Sequence, residues 1–224
     1  MRRLTFLVLA AIPTSCLARP PDALLICHNA NCIEPGTSDR DDTLDALSAS
    51  LALRMDGRPV IDGIEIDSAW DASSGRCLFA HGPSADAPDV KEATGRIAAH
   101  LSQAGDVAWN RERFVVKIEL KPDVGSGRDH SPVDAERHAD CMLDQLATLE
   151  NAARAGGHAL TVIFDSADPS LLRTITERPR FPGKRTGQFV EVKLEVGFDA
   201  EVPRDLEADI LTVRWAEIDS GMRD

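Results

Sequence analysis

The sequence predicts an α/β fold built on a parallel sheet, and three observations carry that expectation. Six short apolar or alternating runs recur, at 23–30 (ALLICHNA), 63–70 (GIEIDSAW), 113–121 (RFVVKIELK), 159–166 (ALTVIFDS), 188–196 (QFVEVKLEV) and 208–216 (ADILTVRWA). Segments with apolar residues at helical spacing lie between them, and no internal repeat or low-complexity tract breaks the pattern. Strand, helix, strand repeated in this way implies parallel strands joined by crossover helices.

The helical segments follow in chain order. Leu44, Leu47, Leu51 and Met55 mark the first, Val90, Ile97 and Leu101 the second, Met142, Leu143, Leu146 and Leu149 the third, and Leu171, Leu172 and Ile175 the fourth. "SPVDAE" and "DPSLL" place a capping residue and a proline at the start of the last two, as N-caps and first turns require.

The strands alternate with period two. Ile64 and Ile66 share one face of the second run and Glu65 and Asp67 the other. Val116, Ile118 and Leu120 oppose Lys117, Glu119 and Lys121 in the third, and Val192 and Leu194 oppose Glu191, Lys193 and Glu195 in the fifth. An antiparallel sheet with one wet face would alternate in the same way, so the helices between the strands are what favour the parallel arrangement. An open doubly wound sheet and a (β/α) barrel both fit at this point. In a barrel, the apolar residues would face the helices and the acids would point inward toward the site.

At 224 residues the chain can bury one sizeable core. Its net charge of −12 argues against nucleic acid or an anionic membrane surface as a non-specific partner. Nothing in the sequence marks an obligate protein partner.

Residues 1–18 read as a secretory signal, with Arg2 and Arg3, an apolar run over 4–12 and small residues up to Ala18. Losing these two arginines and no acid would take the mature domain, 19–224, to −14. A lipid anchor at Cys16 is the lesser reading, because Pro13 sits badly in the required motif. Export permits disulfides. Cys32 and Cys77, both in predicted loops, are expected to pair, and Cys27 and Cys141 read equally as small buried hydrophobes.

Glu65, Asp67 and Glu119 would converge if neighbouring strands aim their C-terminal ends at one site. Three carboxylates repel one another, and a hard divalent cation bound through oxygen relieves them. Mg²⁺ or Ca²⁺ suits this set better than zinc, since no histidine or cysteine has ligand spacing beside it. His28 closes the first run and His81 follows the second. Two imidazoles flanking an acid cluster suit phosphodiester cleavage, which needs a base on the attacking oxygen and an acid on the leaving one.

"CHNANC", "GIEIDSAWDASSGRCLFAHGP" and "VVKIELKPD", in that order, resemble the phospholipase-C-like phosphodiesterase superfamily, which includes glycerophosphodiester phosphodiesterases and sphingomyelinase D enzymes. The resemblance implies a (β/α) barrel of the TIM type. It also implies His28 and His81 as the acid/base pair, Glu65, Asp67 and Glu119 as ligands of Mg²⁺ or Ca²⁺, and Lys121 near the substrate phosphate. "DDTLDAL" looks like the Glu-Asn-Thr helix start of the glycerophosphodiesterases, with Asp41 and Asp42 in place of Glu-Asn. A glycerophosphodiester or phospholipid headgroup ester is the implied substrate, the latter bringing transient contact with a membrane surface.

The chain departs from the pattern at His28-Asn29-Ala30, where glycerophosphodiesterases read His-Arg-Gly, and at His81-Gly82-Pro83, where they read His-Asp. His-Gly-Pro and the 38-residue interval from His81 to Glu119 look more like sphingomyelinase D, whose close cysteine pair in the catalytic loop is missing. These departures motivate the alternative of a catalytically inactive binding protein on the same barrel. Lys193 and Arg214 are further phosphate candidates, and Trp70 is expected to pack. His100, His130, His138 and His158 carry no assigned role. With six strands visible where a barrel has eight, the expectation is a barrel incomplete at its C-terminal side, open between the first and sixth strands.

Overall fold

Gly63 stands where the second predicted strand begins, and nothing larger fits there. A Cβ at this position would lie 2.5 Å from the carbonyl oxygen of Val115 on the neighbouring strand. The computed structural model describes residues 24–33, 40–82, 84–103, 113–121, 131–185, 187–196, 206 and 208–211. The signal segment, His130, Arg214 and most of the last predicted strand lie outside those residues.

The elements run β1 (Ile26–Cys27), α1 (Leu44–Leu51), β2 (Arg54–Met55), β3 (Arg58–Pro59), β4 (Gly63–Asp71), β5 (Arg76–Phe79), α2 (Val90–Leu101), β6 (Arg113–Lys121), α3 (Pro132–Gly156), β7 (Ala159–Ser166), α4 (Pro169–Glu177), β8 (Val190–Val196) and β9 (Ile210–Leu211). β1, β4, β6, β7, β8 and β9 lie side by side in chain order, every neighbouring pair parallel. These are the six predicted strands. Among the described residues, β1 and β9 end the path and are not paired with each other.

β5 is an addition, an antiparallel partner that folds back along β4. Met55 is the other departure. It leaves the first helix and stands exposed in the β2–β3 hairpin, because Asp56 and Gly57 both take positive φ, the Asp-Gly signature of a tight hairpin turn. The first predicted strand is also shorter than expected. It breaks into a 3₁₀ turn at His28–Ala30, where Asn29 and Ala30 adopt left-handed φ values of 49° and 57°.

The helices start where their caps dictate. Thr43, Asp89, Ser131 and Asp168 each accept a hydrogen bond from a backbone N–H of the first turn, and Pro132 and Pro169 fill first-turn positions. Their apolar faces meet Ile64, Ile66, Val116, Ile118, Val162, Phe164 and Val192 of the sheet in one buried cluster. Each such side chain contributes roughly 1.5–3 kcal/mol of burial. Among the described residues, no helix is long and apolar enough to cross a membrane.

Cys32 and Cys77 are not partners. Cys27 bonds Cys32, and Cys77 bonds Cys141. Cys27 ends β1, and the 3₁₀ turn returns the chain so that Cys32 comes to a Cα distance of 5.3 Å. Cys77 on β5 lies opposite Trp70, whose indole packs beside His138 and donates to Asp134 of α3, the helix that carries Cys141.

Candidate active site

Register decides what the polar face of the sheet presents. Asp67 pairs with Glu119, Glu119 with Asp165, and Asp165 with Glu195, so four carboxylates form one row across β4, β6, β7 and β8. The row beneath runs Glu65, Lys117, Ile163 and Lys193. Like charges directly opposite one another on adjacent strands destabilise a sheet, so such a row needs cations.

Two lysines supply part of the need. Lys121 Nζ lies 3.3 Å from Asp67 Oδ2 and 2.6 Å from Glu119 Oε1. Lys117 rises from the row beneath to reach Asp165 Oδ2 at 2.9 Å, Glu195 Oε1 at 3.1 Å and Glu65 Oε1 at 3.9 Å. Burial works against the charge on both lysines. Asp165 and then Glu195 and Glu65 outweigh it for Lys117, Asp67 and Glu119 for Lys121, and both ammoniums hold their protons above the ordinary range.

The acids still repel. Burial pushes the Asp165 carboxyl up to about 6 despite Lys117, and it raises Glu65 against the pull of His28 and Lys117. Asp42, just before α1, is pushed up to about 8 by burial and by the Asp67 charge. Its φ of 54° is left-handed, and its Oδ1 accepts the Asp67 N–H at 3.4 Å.

The two imidazoles arrive from separate elements. His28, on the turn after β1, places Nε2 3.3 Å from Glu65 Oε2. That turn is secured by the Cys27–Cys32 bond, by the Cys32 N–H donating to Ser50 Oγ, by the Asn29 and Asn31 amides donating to Asp41, and by the Asn29 N–H donating to Glu65. His81, which β5 carries back beside β4, places Nδ1 2.8 Å from Asp67 Oδ2. Their side chains are 76% and 72% exposed over carboxylates that are 5% and 0% exposed. Each ring therefore has one edge fixed and the other open to a ligand.

Glu65, Asp67 and Glu119 all reach this polar face, but they do not form one tight triad. Glu65 and Glu119 come within 4.8 Å ligand reach together with Asp165, and Asp67 does so with Asp42 and His81. No ligand spacing in the sequence joins a histidine to the acids, yet the fold brings His81 into ligand reach of Asp67, because β5 folds back along β4. The orphan atoms fit a cation. Asp42 Oδ2, Asp67 Oδ1 and Asp165 Oδ1 are buried without a hydrogen-bond partner among the described residues. A donor set of carboxylate oxygens suits a hard divalent ion such as Mg²⁺ or Ca²⁺.

Lys121 stands between Asp67 and Glu119, already paired. Lys193 pairs with Glu191 at 3.6 Å. Trp70 and His138 belong to the helix-facing side, where His138 Nε2 meets Ser68 Oγ at 2.9 Å, and His100 packs on Phe114.

A groove of about 850 Å³ runs along the polar face toward the N-terminal strand ends, past Leu24, Val115 and Ile163, and includes His28 and Glu65. It contains neither His81 nor Asp67. A second cavity of about 790 Å³ borders Asp42 and His81. The acids and imidazoles converge at the C-terminal strand ends, and of that set only His28, Glu65 and Glu195, with Lys117, also line the first groove.

Lys117, Asp165 and Glu195 are the participants to which sequence reasoning gave no role, and Asp42 entered it only as part of the DDTLDAL helix start. The signal for Asp165 was its position closing an apolar strand, as Asp67 nearly closes its own. Comparison with known protein families and with curated proteins finds no match to this chain.

Proposed function

We propose that this chain is an exported, metal-dependent phosphodiesterase of the phospholipase-C-like kind, acting on a glycerophosphodiester or phospholipid headgroup ester. The observation that carries the reading is the pair of exposed imidazoles, His28 and His81, each seated on a buried carboxylate of the same strand, Glu65 and Asp67. A (β/α) barrel is the architecture that suits strands lying in chain order with no reversal and a polar, largely buried face opposite the helices. Two disulfides support an oxidising compartment.

Glu65 and Glu119 would hold Mg²⁺ or Ca²⁺, with Asp67, which groups with Asp42 and His81, bordering the cation on the same acidic face. When bound, the cation offsets charge on the non-bridging phosphate oxygens. One imidazole takes the proton of the attacking hydroxyl as its oxygen bonds to phosphorus. The other, protonated, gives its proton to the leaving oxygen as that bond breaks. Glu65 and Asp67 fix the orientation of the two rings, and Lys121, within reach of the same oxygens, steadies the phosphate. A hydroxyl of the substrate as nucleophile would leave a cyclic phosphate, and water would leave a linear one.

The second reading is a binding protein without turnover. It is favoured by one observation, that Lys117 and Lys121 already pair with five carboxylates of the face. The discriminating experiment is to incubate the protein and Mg²⁺ with bis(p-nitrophenyl) phosphate, glycerophosphocholine and lysophosphatidylcholine. Release of nitrophenol or of the headgroup is expected. Binding of the lipids with no product from any of the three would establish the alternative.

A further inference from the structure

Lysines stand at two of the three junctions in the carboxylate row. Lys121 bridges Asp67 and Glu119, and Lys117 bridges Asp165 and Glu195. Among the described residues, no ammonium bridges the middle junction, between Glu119 and Asp165, although these two residues are in register on adjacent strands. Glu65, in the row beneath on β4, still reaches it, and one oxygen each from Glu65, Glu119 and Asp165 falls within 4.8 Å of the other two. Asp165 is 4% exposed, and its Oδ1 is buried without a hydrogen-bond partner, while its Oδ2 is held by Lys117.

We infer that the divalent cation sits at this middle junction and that Asp165 is one of its ligands, so the metal site reaches onto β7. The inference rests on the phosphodiesterase reading for the presence of a cation, and adds where the cation lies and which residue completes its cage. Five carboxylates, Glu65, Asp67, Glu119, Asp165 and Glu195, face two lysines here, which leaves an excess of negative charge that the lysines alone do not cancel. An isolated buried carboxylate oxygen is costly, and a cation in contact removes that cost. Glu195, the other row partner of Lys117, lies outside the group and provides a control.

The test is calorimetric titration of the chelator-stripped full chain with MgCl₂, for the wild type, Asp165→Asn and Glu195→Gln, with melting in chelator to confirm that each variant folds. Asp165→Asn is expected to weaken Mg²⁺ binding by about tenfold or more, since even residues that only support metal ligands cost that much, and Glu195→Gln to stay within about threefold. Equal affinity for Asp165→Asn and wild type overturns the inference, as does equal weakening in both variants, which would mean that the effect travels through Lys117. Absence of Mg²⁺ binding by the wild type would remove the metal-dependent reading as well. A wild-type crystal soaked in MnCl₂ supplies a measurement independent of any variant. Anomalous density within about 2.5 Å of an Asp165 oxygen is expected, and a manganese ion bound by Glu65, Asp67 and Glu119 without Asp165 overturns the inference.

Discussion

A histidine with one ring nitrogen on a buried carboxylate and the other edge in solvent is oriented without being enclosed, and both His28 and His81 meet that description. In the proposed reaction, removing either ring takes away a positioned acid or base. His28→Ala and His81→Ala are each expected to lower turnover of a phosphodiester by roughly 10²–10⁴-fold, while circular dichroism and the melting temperature stay near wild type. A variant with near-normal turnover would make that histidine structural. His100 behaves differently. Burial, followed by the charges of Arg54 and His158, lowers its pKa from 6.5 to about 4 in the folded chain. Between those values the unfolded chain binds the additional proton, so the folded state has its full stability above pH 6.5 and loses it as pH falls toward 4. The loss attributable to this ring is at most about 3 kcal/mol. Urea midpoints measured from pH 7 to pH 4 are expected to fall less steeply for His100→Leu than for the wild type, and parallel curves would exclude His100 as the cause.

At the scale of elements, the contact between β4 and β6 is the one that sets Glu65 and Asp67 against Lys117 and Glu119. Gly63 permits it, since a methyl group there meets both the carbonyl oxygen and the Cβ of Val115. Gly63→Ala is therefore expected to cost about 1–3 kcal/mol as an overpacked position, read as a lower urea midpoint, and an unchanged midpoint would show that the strands can part at no cost. Much of this layer was legible in the sequence. Period two separated Ile64 and Ile66 from Glu65 and Asp67, and the Ser-Pro and Asp-Pro starts located α3 and α4. The register was not legible, because it belongs to pairs of strands rather than to any one of them. Asp165 closes an otherwise apolar run, and only its placement opposite Glu119 and Glu195 reveals a row. The cysteine pairs were hidden for the same reason. Cys77 and Cys141 are 64 residues apart and meet only because β5 folds back along β4 toward α3. Met55 was misplaced where an Asp-Gly turn overrode the helical spacing of leucines.

Across the whole molecule, the apolar face of the sheet holds the helices, and the polar face concentrates negative charge in a chain already at −12. On the proposed reading, a bound divalent cation stabilises such a face. Mg²⁺ at a hundredfold excess over its dissociation constant is expected to stabilise the fold by about 2.7 kcal/mol, raising the melting temperature by roughly 5–10 °C. Magnesium sulfate and sodium sulfate at matched ionic strength would separate site binding from screening, and an equal shift in both would rule out a specific site. The proposed activity makes the sharper demand, that the imidazoles turn over a phosphodiester only while the carboxylates hold their cation. The direct measurement is the initial rate of bis(p-nitrophenyl) phosphate cleavage by the wild-type chain in Mg²⁺, in excess chelator, and after Mg²⁺ is restored. Activity that vanishes with the chelator and returns with the metal is the expected result, and full turnover in excess chelator would contradict it.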